Sequence, residues 1–283
     1  MAEASGLISR TVCLALVGVA VVLAAGSAAA AGRTALALVP AAEARLPADS
    51  LAALCERLFS TCAPASTKAM VETSAPQGRL YLLDSDRPWL AALDEHAPTD
   101  ATRARVWDFS AYRHTVLPSA DAGKPAALHV YPALYPVGAS GHAVAIVSST
   151  REMYSGGGAL FDVADFVELD ASGATSATQA KVVYAAVPFA CSKTVRTCFS
   201  EKDYQRSPHC SDDSAGHLTI GFDGTTGAAP GWSFRWHEQS WPGNVAKAKQ
   251  RWTRSAFAVP VGPREVGSGA AAQSASFCGG PAS

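Results

Sequence analysis

The stretch Leu160-Phe-Asp-Val-Ala-Asp-Phe-Val-Glu-Leu169 decides the fold of this chain. Its apolar side chains alternate with polar or small ones: Phe161, Val163, Val167 and Leu169 against Asp162, Ala164 and Glu168. Successive side chains of a strand point to opposite faces of the sheet, so this alternation is typical of a strand with one face toward a core and the other toward water.

Three further apolar runs rich in Val, Tyr and Phe flank this stretch: Leu128–Tyr135, His142–Ser149 and Lys181–Phe189. Gly-rich turns separate them, and Lys181–Phe189 is apolar on both faces, which favours a central position. Strands at short, even spacing predict an antiparallel meander. We therefore expect a mainly β fold, an antiparallel meander that is sandwich or barrel-like, over residues 79–261.

The chain before residue 79 has a different pattern. Residues 32–78 predict an N-terminal arm, a short helix and a linker, with Leu51, Leu54 and Leu58 at helical spacing and several Pro and Ser/Thr residues after them. Within the β-rich region, Trp89–Leu93 predicts a short helical turn. The fold class is thus mainly β with a short N-terminal helical region.

The first 31 residues have the order of a signal peptide. Arg10 is followed by an apolar run that ends in small residues, and Ala28-x-Ala30 or Ala29-x-Ala31 suits a signal peptidase. A retained membrane anchor is the alternative, since about 20 apolar residues can span a bilayer. Cleavage near Ala31 predicts a periplasmic or secreted protein with no transmembrane segment afterwards.

The net charge of −1 limits the class of partner. A chain that binds nucleic acid through phosphate contacts carries an excess of Lys and Arg, which is absent here. We expect a protein or cell-envelope partner and no nucleic acid.

Six cysteines remain after residue 31, and an even number in an oxidising compartment predicts disulfides. Six cysteines allow 15 pairings. Two pairs enclose six residues each, so the spacing predicts Cys55–Cys62 and Cys191–Cys198, and the last bridge is then Cys210–Cys278. The last bridge would tether the Gly/Ala/Ser-rich tail, residues 262–283. Seven residues of intact helix span about 10.5 Å, beyond the limit for a disulfide, so the helix must end before Cys62.

The densest polar cluster offers metal ligands at His209, Asp212, Asp213 and His217. Zinc spacings such as His-x-x-x-His are absent, and calcium requires more oxygen ligands, so we expect a solvated turn, no metal and no cofactor. Ser140 lies in Gly138-Ala-Ser-Gly141, one residue short of a hydrolase nucleophile turn, and predicts a hairpin turn instead. No catalytic residue is assigned.

The residues most suited to contact a partner are Lys193, Arg196, Arg235 and His237. The first two lie between Cys191 and Cys198, on a rigid hairpin tip if those cysteines are bridged. The other two alternate with Trp232, Phe234 and Trp236, whose spacing is that of a strand with an apolar face.

These features favour an exported, non-catalytic binding protein of a bacterial-type envelope, of the inhibitor, immunity or envelope-partner type. One alternative is an extracytoplasmic hydrolase of cell-wall glycan or peptide that uses paired carboxylates, for example Asp84/Asp86, Asp162/Asp165 or Asp212/Asp213. A second alternative is a structural subunit of an envelope complex.

Overall fold

The computed structural model describes residues 33–59, 62–114, 127–173, 180–226, 229–259, 261–262 and 277–279. The predicted signal peptide, residues 1–31, and most of the predicted tail lie outside this part of the chain. The described residues form one open antiparallel sheet of thirteen strands with two α-helices. The prediction of a mainly β meander is therefore confirmed.

The helices are α1 (Ala48–Leu58) and α2 (Glu201–Arg206). The strands are β1 (Leu36–Pro40), β2 (Thr67–Glu72), β3 (Ala75–Asp84), β4 (Trp89–Ala92), β5 (Arg105–Asp108), β6 (Leu128–Val130), β7 (Ala133–Val137), β8 (Gly141–Tyr154), β9 (Gly157–Glu168), β10 (Val182–Arg196), β11 (Ser211–Thr226), β12 (Ala229–Trp241) and β13 (Arg251–Phe257).

The sheet contains two runs of consecutive neighbours. Strands β7 to β13 pair each with the next, as do β1 to β5, and β6 pairs with β8. β1 joins the two runs because it pairs with β2 on one side and with β7 on the other. The sheet thus continues from the predicted meander through β1 to β5, of which β1 and β2 precede the predicted start at residue 79.

Two sequence predictions are wrong in the N-terminal half. The expected arm contains β1, and the expected linker contains β2 and the start of β3. The predicted helical turn at Trp89–Leu93 is wrong, because Trp89–Ala92 forms the strand β4. All four residues of β4 are buried, so they show no alternation, and a short run that is apolar throughout has no period that separates strand from helix.

Helix α1 packs against the sheet through Leu54, which is fully buried in a cluster with Leu82, Trp89 and Leu93. The helix ends at Leu58, and Cys55 is bridged to Cys62 across a Cα separation of 5.1 Å. Both expectations about this bridge are confirmed.

Strand β8 lies at the centre of the core, because alternate residues enter two different hydrophobic clusters. Val144 and Ile146 pack with β3, β4 and β5, whereas Ala145 and Val147 pack with β9, β10 and β12. Both faces of this strand are therefore buried in its first half, and the sheet forms more than one layer around it.

One carboxylate is fully buried in this core. Asp165 accepts hydrogen bonds from the Tyr112 hydroxyl (2.9 Å) and from the backbone N–H of Ala186 (2.7 Å). Ala186 lies at an irregularity of β10 and has a φ of 53°, a conformation that is strained for a residue with a side chain. His114 is also buried, with Nδ1 3.8 Å from the Asp165 carboxylate. The hydrogen bond from Ala186 to Asp165 thus holds the irregularity of β10 in place.

The other two disulfides differ from the predicted pairs. Cys191 is bridged to Cys278 and Cys198 to Cys210, across Cα separations of 6.1 Å and 5.0 Å. The reason is that β10 continues through Arg196, so there is no hairpin tip between Cys191 and Cys198. Seven residues of extended chain span about 23 Å, far beyond the reach of one disulfide. The tail is still tethered by Cys278, but to β10.

Three disulfides indicate an oxidising, extracytoplasmic environment.

Among the described residues, no helix combines the length and the apolar character needed to cross a membrane.

Candidate functional site

The candidate site is one face of the ladder formed by β8 to β13. The pairing register places side chains of successive strands directly opposite one another. One row contains Ser149, Asp162, Ala190, His217, His237 and Arg254, and the row two residues further along the strands contains Arg151, Leu160, Ser192, Ala215, Gln239 and Trp252. We call these two rows, together with Arg235 and Thr219 beside the first row, the open face.

The open face has small side chains at its centre and long side chains at both sides. Its central residues are small and solvent-exposed, for example Ser192 and Ala215, while Arg151 lies at the β8 side and Trp252 at the β13 side. Trp252 is 66% exposed, the highest value of any tryptophan in the described chain. A large aromatic ring that is exposed on a rigid sheet is the kind of residue that dominates binding surfaces.

Positive charge dominates this surface. Arg151, Arg235 and Arg254 are exposed, and none of them forms an ion pair with another residue in the described ranges. Asp162, the acidic member of the two rows, already accepts a hydrogen bond from Ser149 (2.7 Å). The guanidinium groups of the open face are therefore exposed to solvent, and none has an acidic partner within the part of the chain that the structure describes.

Two histidines lie at the centre of the charged part. The rings of His217 and His237 stack across β11 and β12, with centroids 5.2 Å apart and planes 7° apart. Loss of hydration lowers the pKa of His237, and the charges of Arg254, His217 and Arg235 lower it further.

Strand β13 adds charge to the edge of this surface. Six of its seven residues are exposed, it is an edge of the sheet, and Lys247, Lys249 and Arg251 lie in or just before it. The sequence contains a signal for this basic edge. No acidic residue occurs between Glu238 and Glu265, a segment that holds all three of these cations and Arg254.

The structure separates the four residues that the sequence suggested for binding. Arg235 and His237 lie together on the open face. Arg196 is at the far end of β10, where its guanidinium lies over the Phe199 ring at 5.3 Å. Lys193 alternates with Ser192 and so points to the opposite side of the sheet. The sequence suggested His217 only as a metal ligand, and it did not suggest Arg254.

The suggested metal ligands do not converge. His209 Nε2 lies 3.0 Å from Asp213 Oδ2, and its ring stacks on Trp241. Asp212 instead accepts a hydrogen bond from the backbone of Gly243, and His217 lies in the row with His237. Within the described ranges, no three His, Cys, Asp or Glu side chains group in a way that could hold a metal ion.

The paired carboxylates that the sequence suggested for a hydrolase lie in turns and strands. Asp84 is buried and accepts hydrogen bonds from Ser66, Thr67 and the backbone of Asp86. Asp162 and Asp165 lie on opposite faces of β9, because they are three residues apart in one strand.

Ser140 lies in the turn between β7 and β8, as predicted. A shallow depression beside this turn contains an ion pair between Glu168 and Lys181, whose charged atoms are 2.7 Å apart.

No protein-family model, curated protein or solved structure matches this chain.

Proposed function

We propose that this chain is an exported, non-catalytic binding protein, of the inhibitor, immunity or envelope-partner type, and that its open face binds an acidic protein. The observation that carries the proposal is the row of His217, His237 and Arg254, with Arg235 beside it, on a sheet face where neither guanidinium forms an ion pair with another described residue.

Charge complementarity selects the partner. Among the described residues, Arg151, Arg235 and Arg254 form no ion pair, so an acidic surface would gain attraction without first breaking one. The small side chains at the centre of the open face, Ser192 and Ala215, let a partner approach the sheet closely. Trp252 supplies apolar area at the β13 side of this face.

Rigidity of the site also supports binding. The open face is built on paired strands, and the other side of the same strands packs on the Cys191–Cys278 bridge and Trp236. A surface that is already ordered loses little conformational entropy when a partner binds.

The compartment agrees with this role. The three bridges fit an oxidising environment, and the predicted signal peptide would deliver the chain to the periplasm or beyond. Inhibitors and immunity proteins of that compartment act by covering another protein, which requires a large, flat, charged surface rather than a deep pocket.

The proposal is tested with an acidic peptide of alternating aspartate and serine, whose affinity is measured by isothermal titration calorimetry at low salt. Reversing the charges of Arg151, Arg235 and Arg254 to Glu should weaken binding by about tenfold or more. The matched control reverses three exposed cations elsewhere, Lys68, Arg113 and Lys202.

The control variant has the same net charge as the open-face variant. The comparison therefore shows whether binding depends on the open face or only on the net charge of the chain. Equal loss of affinity in both variants, or no measurable binding by the native chain, would overturn the proposal. Circular dichroism of each variant checks that the fold is intact.

A further inference from the structure

The row that crosses β11, β12 and β13 holds three basic side chains directly side by side. His237 lies opposite His217 on one side and opposite Arg254 on the other, and Arg235 follows two residues along the same face of β12. Cross-strand neighbours have Cβ atoms about 5 Å apart, so like charges in one row repel one another. Protonation of His237 therefore costs energy unless an anion lies against it.

We propose that His217, His237, Arg235 and Arg254 form a carboxylate-binding subsite for an acidic side chain of the partner, and that its affinity increases when the pH falls. This inference rests on the proposed function, because it names the part of the open face where the acidic partner is held.

The subsite has the right donors for a carboxylate. Two guanidinium groups supply N–H donors in planar arrays, which match the geometry of a carboxylate, and two imidazoles lie beside them. His217, Arg235 and Arg254 are exposed, and His237 is half-buried, so a carboxylate can approach from solvent.

The groups that face His237 account for the pH dependence. From β11 it meets His217, from β13 it meets Arg254, and on its own strand it meets Arg235. Glu238 points to the other side, where it accepts hydrogen bonds from Trp236 and from the backbone of Cys278. The acidic group nearest along the row is Asp162, about 15 Å from His237 across three strand spacings.

In the absence of a ligand, the loss of hydration and the charges of these basic neighbours keep the pKa of His237 below its usual value. A carboxylate in the subsite opposes that effect, because an opposite charge nearby favours the protonated imidazole. Binding and protonation are then linked, and each strengthens the other.

The test measures the affinity of the same aspartate–serine peptide at about pH 7.5 and about pH 5.5, where aspartate stays ionised and histidine changes its charge. The native chain should bind roughly fivefold to tenfold more tightly at the lower pH. His237→Gln should lose this increase, because the imidazole that gains the proton is no longer present. His96→Gln, at an exposed histidine outside the open face, should keep the increase.

A second measurement uses the native chain alone. The ring resonances of His237, followed by NMR, should titrate at a higher pH with peptide than without it. Equal affinity at both pH values, or an increase that survives in His237→Gln, would overturn the subsite while leaving the proposed function in place. Absence of binding at both pH values would overturn the proposed function as well.

Discussion

The imidazole rings of His217 and His237 stack across β11 and β12 with their centroids 5.2 Å apart. They occupy the same row as Arg254, on a surface whose arginines have no ion-pair partner among the described residues. A sheet that places basic groups side by side in this way is stable only because the packing beneath it is strong.

Acidification below about pH 6.5 should destabilise the fold. Burial lowers the pKa of His129 and of His142, and loss of hydration together with nearby cations lowers that of His237. The unfolded chain then binds protons more tightly than the folded chain, so the free energy of unfolding decreases as the pH falls through the unfolded value of about 6.5. Urea unfolding at about pH 7.5 and about pH 5.5 measures this decrease.

His129→Gln is the informative variant for this effect. It removes one of the buried imidazoles, so its unfolding free energy should depend less on pH than that of the native chain. His96→Gln, at an exposed position, serves as the control. A native chain that is equally stable at both pH values would show that these imidazoles do not resist protonation.

Digestion without reduction, followed by mass spectrometry, should yield peptides linked through Cys55–Cys62, Cys191–Cys278 and Cys198–Cys210. Replacing Cys191 and Cys278 together by Ser should lower the free energy of unfolding by about 2–5 kcal/mol, because this bridge closes the longest loop of the three. A peptide linked through Cys191–Cys198 would contradict the extended course of β10.

Tyr112→Phe should destabilise the chain by about 1–3 kcal/mol, because the buried Asp165 carboxylate loses the hydroxyl that donates to it. Tyr131→Phe, at a tyrosine that is 40% exposed, should change stability by less than about 0.5 kcal/mol. Combining Tyr112→Phe with Asp165→Asn in a double-mutant cycle should give a non-additive effect of about 0.5–3 kcal/mol. Additive effects would mean that the two side chains do not interact.

Gly216→Ala should destabilise the sheet beneath the open face by about 1–3 kcal/mol. A Cβ at this position would overlap the Trp236 ring and would lie 3.0 Å from Cys191 Sγ. The neighbouring change Ala215→Ser, on the exposed side, should have an effect within about 0.5 kcal/mol. Thermal unfolding of both variants gives the comparison, and equal melting temperatures would show that Trp236 does not pack there.

The sequence predicts the meander because its strands keep a clear period over long segments. Leu160–Leu169 alternates, and β9 is found over the same residues with small differences at its ends. β1 and β4 were missed for physical reasons. β1 is specified by pairing with β7, about 95 residues away in sequence, and β4 is buried on both faces, so neither leaves a local period.

The candidate site was predicted only in part. Arg235 and His237 could be found because they alternate with Trp236 on one strand. His217 and Arg254 could not be placed beside them, because the register between separate strands is set by long-range pairing. The disulfide prediction failed for the same reason, since equal spacing suggested a hairpin where β10 continues.

The most direct test of the account is a map of where an acidic peptide binds. Backbone amide NMR signals should be recorded with and without the aspartate–serine peptide at low salt, and again at high salt, where attraction between exposed charges is screened. We expect changes confined to β8 to β13 and largest around His217, His237 and Arg254, and we expect salt to abolish them. Changes centred on α1 and β2 to β5, or no changes at all, would contradict the assignment of the open face as the binding surface.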